Sequence, residues 1–314
     1  MNLGQPNLKT FAKTLEKLAK IDSDIMVVTS DSRGSGKLVN FGEEYPEQIV
    51  EVGIAEQNLV GMSAGLASTG KKVFAVSPSC FLTARSLEQI KNDICYSDNP
   101  VNLIGISAGV SYGSLGSTHH STHDLAVLRA INNINILVPA DNFETEKSIE
   151  IAAESEEPFF IRFGKRPMYD LHDSKTKFRL GKGIQIKNGK DLAFVATGET
   201  VYPALKAAEK LEKEGISCSV VSMHSIKPFD KELLLEIASS CSAIVTVEEH
   251  GIYGGLGELC AAILMEEGIN IPFKIVGIPD EYTVTGAQME IFEHYGISEE
   301  GLAETALKII RLRV

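Results

Sequence analysis

The chain has 314 residues, of which 44% are hydrophobic and 23% are charged, and its formal net charge is −12. This composition excludes a disordered or fibrous protein, and an acidic balance without a basic run argues against nucleic acid as a partner. No apolar run reaches the roughly 20 residues of a membrane helix, and Met1–Lys20 lacks the features of a signal peptide. Five scattered cysteines without a Cys-x-x-Cys pair favour buried free thiols. A cytoplasmic protein is therefore expected.

Strand and helix patterns alternate along the first half of the chain. Leu8, Phe11, Leu15 and Leu18 share one helical face, and the apolar run Ile25–Val28 predicts a strand that ends in a polar loop. Open parallel sheets place their ligands at such carboxyl ends. Further strands are predicted at 73–76, 101–106, 136–138 and 159–163, and helices at 53–69 and 81–96.

A charged and polar stretch separates this first set from a second. The second set predicts strands at 192–196, 218–221, 244–247 and 273–276 and closes with an amphipathic helix at 302–310. The fold class predicted is α/β, with two domains that are each a mostly parallel sheet flanked by helices. The predicted boundaries are 1–168 for the first domain, 169–189 for a linker and 190–314 for the second domain.

The segment Gly53-Ile54-Ala55-Glu56-Gln57-Asn58 carries the strongest chemical signal. By position alone, Glu56 could be an ordinary glutamate that favours the dipole of a helix start. The segment resembles the Gly-Ile-x-Glu-Gln/His signature of the pyrimidine-binding domain of transketolases and deoxyxylulose-phosphate synthases. The resemblance implies that Glu56 is catalytic and binds the cofactor thiamine diphosphate. There its carboxyl group would hydrogen-bond an aminopyrimidine ring nitrogen and favour the tautomer that deprotonates the thiazolium carbon.

A phenylalanine follows the strand predicted at 73–76. An aromatic residue in this setting is usually part of the core, but Phe81 also matches the family's phenylalanine that stacks on the aminopyrimidine. The resemblance therefore implies a cofactor-binding role for Phe81. Further aromatic residues that some transketolases carry on the next helical turns are replaced by Ala84 and Leu87.

Three histidines lie close together in the segment 113–124. A metal site is one interpretation, but adjacent His119 and His120 seldom reach one ion and no cysteine is near. The segment resembles the transketolase pattern Gly-x-Asp-Gly-x-Thr-His-Gln, which implies that His119 is catalytic and substrate-binding, as a donor or proton shuttle. His120 and His123 have no family role, and surface or supporting positions are expected for them.

The same region departs from the family at two positions. Leu115 stands where transketolases commonly have an aspartate that contacts a donor sugar hydroxyl, and Ser107 stands where they often have a histidine. The donor then lacks the usual hydroxyl arrangement, or another residue contacts it. The usual sugar is therefore one candidate among several.

Three further positions match less specific parts of the family pattern. Asp31 corresponds to an aspartate near the cofactor, Ser35 to a serine near the substrate phosphate and Arg162 to an arginine that pairs with that phosphate. A guanidinium fork suits phosphate, but it suits a sulfonate or carboxylate equally. Each of the three could also be a loop cap or a surface charge.

A glycine-rich turn lies in the second half at 248–257. Its glycine spacing does not match a dinucleotide-binding loop, and no acid is placed to bind a ribose. It is similar to a glycine-rich turn in transketolase C-terminal domains that has a structural role or contacts the other subunit of the dimer.

The Gly-Asp-Gly motif that holds magnesium in the family's diphosphate-binding domain does not occur in the sequence. The resemblance thus implies a split transketolase whose partner is an N-terminal subunit that binds magnesium and the diphosphate. We expect an α2β2 heterotetramer that transfers a two-carbon ketol unit between phosphorylated or otherwise anionic sugars. The alternatives are the matching subunit of a 2-oxo-acid dehydrogenase, a deoxyxylulose-phosphate synthase-like enzyme or a non-catalytic assembly subunit.

Overall fold

The computed structural model describes residues 1–173 and 175–311. The strands are β1 (Leu3–Pro6), β2 (Ile25–Thr29), β3 (Ile49–Glu51), β4 (Lys72–Pro78), β5 (Val101–Ile106), β6 (Asn135–Leu137), β7 (Phe159–Arg162), β8 (Pro167–Tyr169), β9 (Ile184–Lys187), β10 (Leu192–Ala196), β11 (Cys218–Ser222), β12 (Ser225–Lys227), β13 (Ile244–Gly251) and β14 (Phe273–Ile278). The α-helices are α1 (Asn7–Ala19), α2 (Val39–Glu44), α3 (Glu56–Ala67), α4 (Ser79–Arg85), α5 (Leu87–Gln89), α6 (Asp124–Arg129), α7 (Asn142–Glu154), α8 (Val201–Glu212), α9 (Lys231–Ser240), α10 (Leu256–Glu266), α11 (Gln288–His294) and α12 (Glu299–Arg311).

Two large sheets organise these elements. The first has the strand order β12-β6-β7-β5-β4-β2-β3 and the second has the order β14-β13-β10-β11-β9. Their strands pair in parallel except at the edges formed by β12 and β9. Strands β2 and β5 are buried along their whole length, which explains their largely apolar sequences, since helices cover both faces of such sheets. The predicted α/β class with mostly parallel sheets is confirmed.

The two halves of the chain are joined more closely than a simple linker would require. Strand β12, from the predicted second domain, pairs antiparallel with β6 and completes the first sheet. Strand β9 lies inside the predicted linker 169–189 and pairs with β11, so this part of the segment forms an edge strand of the second sheet. The polar character of 169–189 concealed β9 because an edge strand is only partly buried.

One hydrophobic core serves both sheets. It includes Leu103 of β5, Phe160 of β7, Val195 of β10 and Val221 of β11, each at most 1% exposed. Burying one such side chain stabilises the fold by roughly 1.5–3 kcal/mol. Two further clusters cover the outer faces of the sheets. The shared core therefore fixes the two halves against each other.

A buried polar contact also joins the halves and the segment between them. The Glu144 carboxylate of α7 accepts hydrogen bonds from Ser222 Oγ at 2.6 Å and from His172 Nε2 at 2.8 Å. Although burial opposes the charged imidazole, its hydrogen bond to Glu144 and the nearby charges of Glu144, Asp141 and Asp173 raise the pKa of His172. The contact of His172 with Glu144 thus holds its segment against α7.

Two helices differ from the predictions. The helix predicted at 53–69 begins at Glu56, because Gly53 has a φ of +73° and Ala55 is not helical. The helix predicted at 81–96 is interrupted at Ser86, whose φ of −118° and ψ of 24° lie outside the helical region. A π-helical turn, Ile90–Tyr96, follows. Among the helices of the described ranges, none has the length and apolarity needed to span a membrane.

Candidate active site

Loops from neighbouring strands of the first sheet meet at its carboxyl edge. Because these strands are parallel, their carboxyl ends lie on the same side of the sheet, where α/β proteins place their ligands. The loops carry Asp31 and Ser35 after β2, His119 after β5 and Lys165 after β7, and the helices that follow β3 and β4 carry Glu56 and Phe81.

Glu56 begins α3 and is 4% exposed. Its carboxylate lies 3.0 Å, at both oxygens, from Nη1 of Arg85. Arg85 is the last residue of α4, and its guanidinium carbon lies 4.2 Å from the centroid of the Phe81 ring. The interruption at Ser86 ends α4 here and leaves the Arg85 side chain beside Glu56. Glu56, Arg85 and Phe81 therefore form one contact chain.

His119 extends this chain. Its ring meets Phe81 edge to face with the centroids 5.2 Å apart, and it meets Tyr112 in the same way at 5.4 Å. Thr118 Oγ1 lies 3.0 Å from His119 Nδ1. The structure thus brings three of the sequence-predicted residues, Glu56, Phe81 and His119, into one continuous strip of contacts.

The loop that carries His119 is held by the second half of the chain. Buried His120 donates from Nε2 to the Gly113 carbonyl at 3.0 Å and accepts from the Thr283 hydroxyl at Nδ1, 2.5 Å away. Thr283 also donates its backbone N–H to Ser117 Oγ at 2.8 Å. Burial lowers the pKa of His120, so this imidazole is a neutral link. His120 therefore supports the position of His119.

Glu51, which the sequence did not single out, connects the loops that carry Asp31 and Glu56. Its carboxylate accepts hydrogen bonds from the Asp31 N–H at 2.7 Å, the Gly53 N–H at 2.9 Å and the Thr29 hydroxyl at 2.7 Å. Burial opposes ionisation, but these hydrogen bonds lower the pKa of Glu51. Asp31 is exposed with a φ of +53°, a left-handed conformation that aspartate adopts more readily than most other non-glycine residues.

A pair of lysines lies beside the same strip. Lys165 places its Nζ 3.8 Å from the centroid of the Tyr112 ring. Partial burial and the nearby charge of Lys37 lower the pKa of Lys165. Lys37 lies in the loop of Ser35, whose hydroxyl donates to the Ser32 carbonyl at 3.2 Å. Two cations that repel each other form a favourable position for an anion. The sequence analysis did not single out Lys165, and its position just after β7 is the signal that could have indicated it.

Arg162 lies elsewhere, in a buried network between the halves of the chain. Its Nη1 pairs with Asp124, its Nη2 donates to the Glu249 carbonyl at 2.7 Å, and it is 4% exposed. Burial opposes the charge on Asp124, yet Arg162 and His250 hold the pKa of that carboxyl below its usual range. These contacts favour a structural role for Arg162. Its predicted binding of a substrate anion stays a prediction that the described contacts do not support.

Two buried glutamates share a single amide in that network. Gln288 Nε2 donates to Glu199 Oε2 and to Glu249 Oε1, at 2.8 Å in each case. Burial and the charge of Glu199 raise the pKa of Glu249 to about 8. Glu249 also accepts the Val110 N–H at 2.8 Å. One of the two carboxyl groups is therefore protonated near neutral pH.

The remaining predicted positions have simple structural surroundings. Leu115 is 50% exposed, and Ser107 is buried with a φ of +55°. In the glycine-rich turn, the Glu248 carboxylate accepts the backbone N–H groups of Leu256 and Gly257 at 2.7 and 2.8 Å. The cysteines are free and buried. Within 1–173 and 175–311, no three His, Cys, Asp or Glu side chains converge as a metal site.

One observation shows that the strip is suited to the aminopyrimidine ring of thiamine diphosphate. The face of Phe81 and the carboxylate of Glu56 together hold a planar, nitrogen-bearing group, the guanidinium of Arg85. A flat ring with a nitrogen opposite the carboxyl group presents the same features to the same two surfaces.

Comparison with known proteins gives the same family over nearly the whole chain. The profile of the transketolase pyrimidine-binding domain matches residues 6–169, and that of the transketolase C-terminal domain matches residues 181–302. One of the subunits of the apulose-4-phosphate transketolase of Phocaeicola vulgatus is 47% identical over 304 residues, which cover 96% of this chain and 97% of that protein. A solved structure described as a split gene transketolase, inactive beta4 tetramer, has a TM-score of 0.88 at 36% identity and covers 99% of this chain and 100% of that one.

A second group of relatives is longer. The 1-deoxy-D-xylulose-5-phosphate synthase of Halothermothrix orenii is 34% identical over 309 residues, which cover 98% of this chain and 48% of that protein. The chain therefore spans about half the length of these synthases.

Proposed function

Since the chain belongs to the transketolase family, we propose that it is one subunit of a two-component, thiamine-diphosphate-dependent transketolase. The observation that carries the proposal is the contact chain from Glu56 through Arg85 and Phe81 to His119. When bound, thiamine diphosphate supplies the nucleophilic thiazolium carbon of the reaction. The chain's own residues bind and orient the pyrimidine end and move protons beside it.

Glu56 and Phe81 carry the cofactor part of this proposal. The Glu56 carboxyl group would hydrogen-bond a ring nitrogen of the pyrimidine, and a proton would move along that hydrogen bond at a position that the fold largely shields from water. Phe81 supplies the stacking surface. Glu51 positions both the loop of Asp31 and the segment that leads to Glu56.

His119 and the lysines carry the substrate part. His119 lies against Phe81 and Tyr112, so its imidazole is held at the mouth of the strip, where it can donate to or accept from a substrate oxygen. Lys165 and Lys37, with Ser35, form the anion-binding side. The exposed Leu115 places an apolar side chain where transketolases commonly have an aspartate. A substrate with a different hydroxyl arrangement is consistent with that change.

The name of the Phocaeicola vulgatus relative suggests the substrate class. We propose a phosphorylated ketose as donor, with apulose 4-phosphate as the first candidate. The diphosphate and magnesium would be held by a partner subunit that carries Gly-Asp-Gly, since that motif is not in this sequence. An α2β2 assembly would place each strip at an interface between unlike subunits.

The test is to reconstitute the chain with such a partner and assay three reactions. We expect ketol transfer from apulose 4-phosphate to an aldose phosphate, and no turnover by either subunit alone. Synthesis of deoxyxylulose phosphate from pyruvate would instead support the synthase alternative. Decarboxylation of a 2-oxo acid without ketol transfer would overturn the proposal.

A further inference from the structure

Arg85 lies in a position with an unusual combination of contacts. Its guanidinium lies over the Phe81 ring at 4.2 Å and donates from Nη1 to both oxygens of Glu56 at 3.0 Å. The Arg85 side chain is 47% exposed, whereas that of Glu56 is 4% exposed. Arg85 thus covers a buried carboxylate from the solvent side.

We propose that Arg85 is a resident substitute for the aminopyrimidine ring and that the cofactor must displace it to bind. The inference rests on the proposed function. A guanidinium is planar and delocalised, it stacks on aromatic faces, and its N–H groups match a carboxylate. These are the properties by which a pyrimidine ring would be recognised by Phe81 and Glu56.

The two groups compete because the surfaces they use are shared. Arg85 lies over the Phe81 ring at 4.2 Å, where a stacked pyrimidine would also lie, and His119 meets the same ring edge to face. The Glu56 oxygens are both engaged by the same Arg85 nitrogen. A ring that hydrogen-bonds Glu56 while stacked on Phe81 therefore requires Arg85 to move.

Displacement needs only a side-chain rotation. Arg85 ends α4, and it borders an open pocket of about 540 Å³ lined by Ile54, Gln57 and Asn58. Its long, half-exposed side chain can turn into that space without a change in the backbone. Until the cofactor binds, Arg85 supplies a charge that pairs with the buried Glu56 carboxylate. Without such a partner, a buried charge carries a high energetic cost.

Binding of thiamine diphosphate to the reconstituted complex tests the inference without an activity measurement. Titration calorimetry with magnesium present should show that Arg85→Met binds the cofactor about tenfold more tightly than the wild type, because no ion pair or cation–π contact must be broken. Arg85→Lys should lie between the two, since it keeps the charge but not the planar stacking. Lys91→Met removes the same charge from an exposed position on the π-helical turn and should bind like the wild type.

The outcomes distinguish a failure of the inference from a failure of the proposed function. Weaker binding by Arg85→Met would identify Arg85 as a direct cofactor ligand and overturn the inference, while the proposed function would stand. A wild-type complex that binds no thiamine diphosphate would overturn the proposed function and the inference with it. A crystal structure of the loaded complex gives an independent result: we expect Arg85 out of contact with Glu56, and a retained ion pair would contradict the displacement.

Discussion

The rings of Phe81 and His119 meet edge to face with their centroids 5.2 Å apart, and this contact joins helix α4 to the loop after β5. It couples a candidate cofactor surface to a candidate proton donor. The loop of His119 is in turn fixed by Thr283 from the second half of the chain. The geometry of the site therefore depends on both halves.

Replacing Glu56 with glutamine should abolish most of the turnover. Glutamine keeps the size and one acceptor of the side chain but cannot hold the proton at its oxygen, and loss of general acid–base catalysis typically costs about 10²–10⁴ in rate. Steady-state kinetics of the reconstituted complex measures the loss. The exposed Glu88→Gln is a matched control that should keep full turnover. A Glu56→Gln complex as active as the control would show that Glu56 is not catalytic.

Replacing Lys165 with methionine should weaken binding of an anionic substrate. The variant keeps an apolar stem over Tyr112 but removes the charge, so KM for a phosphorylated ketose should rise by roughly 10-fold or more with kcat nearly unchanged. Lys165→Arg should retain most of the affinity, because a guanidinium also pairs with phosphate. The exposed Lys213→Met serves as the control for net charge. A fall in kcat at constant KM would exclude this role.

Replacing Glu249 with glutamine should change how stability depends on pH. The folded-state pKa of about 8 lies above the ordinary value of 4.5, so the folded chain binds the extra proton between these values. The corresponding stability is fully present below about pH 4.5 and is lost as the pH rises through about 8. Glutamine mimics the protonated form and can keep the acceptor for Val110 and Gln288.

Thermal unfolding of the subunit between about pH 5 and about pH 9 checks this expectation. Glu249→Gln should melt on the order of 2–5 °C above the wild type at the alkaline end and close to it at the acidic end. The exposed Glu214→Gln should follow the wild-type curve throughout. Parallel curves for the wild type and Glu249→Gln would contradict a shared proton in the Glu199–Glu249 pair.

Replacing His172 with glutamine should produce its largest effect in acid. Because the pKa of His172 is raised in the folded chain, its contribution is fully present below the ordinary pKa of about 6.5 and is lost as the pH rises through the folded value. Glutamine can still donate to Glu144, but without charge. We expect a loss of about 1–2 kcal/mol in the free energy of unfolding below pH 6 and little loss at alkaline pH.

Chemical denaturation at two pH values measures that difference. The exposed His294→Gln is the matched control and should show no pH-dependent loss. An equal loss for His172→Gln at both pH values would mean that the imidazole acts as a neutral hydrogen-bond donor only.

The sequence was sufficient to predict those parts of the site that directly follow apolar strands. Runs such as Val101–Ile106 mark buried parallel strands, and the residues that follow them must lie at one edge of the sheet. Within these segments, the resemblance to transketolase signatures singled out Glu56, Phe81 and His119, and the structure brings the three side chains into contact through Arg85. Their catalytic and binding roles stay proposals.

Other features depend on contacts that no local pattern reveals. The position of Arg85 follows from the interruption at Ser86, whose non-helical backbone angles no local sequence pattern indicates. Lys165 is a candidate for anion binding because it contacts Tyr112 beside His119. Arg162, on β7 itself, is instead paired with the buried Asp124 carboxylate. Strand β12 has three residues and a mixed polar sequence, so neither length nor alternation marks it.

The pairing of β12 with β6 has a consequence for the order of events during protein synthesis. During synthesis the chain leaves the ribosome amino terminus first. The backbone groups on the outer edge of β6 therefore stay unpaired until Ser225–Lys227 has left the exit tunnel. Nascent chains stalled before and after that point should therefore differ sharply in protease resistance. The first sheet becomes complete only when much of the second half has already been translated.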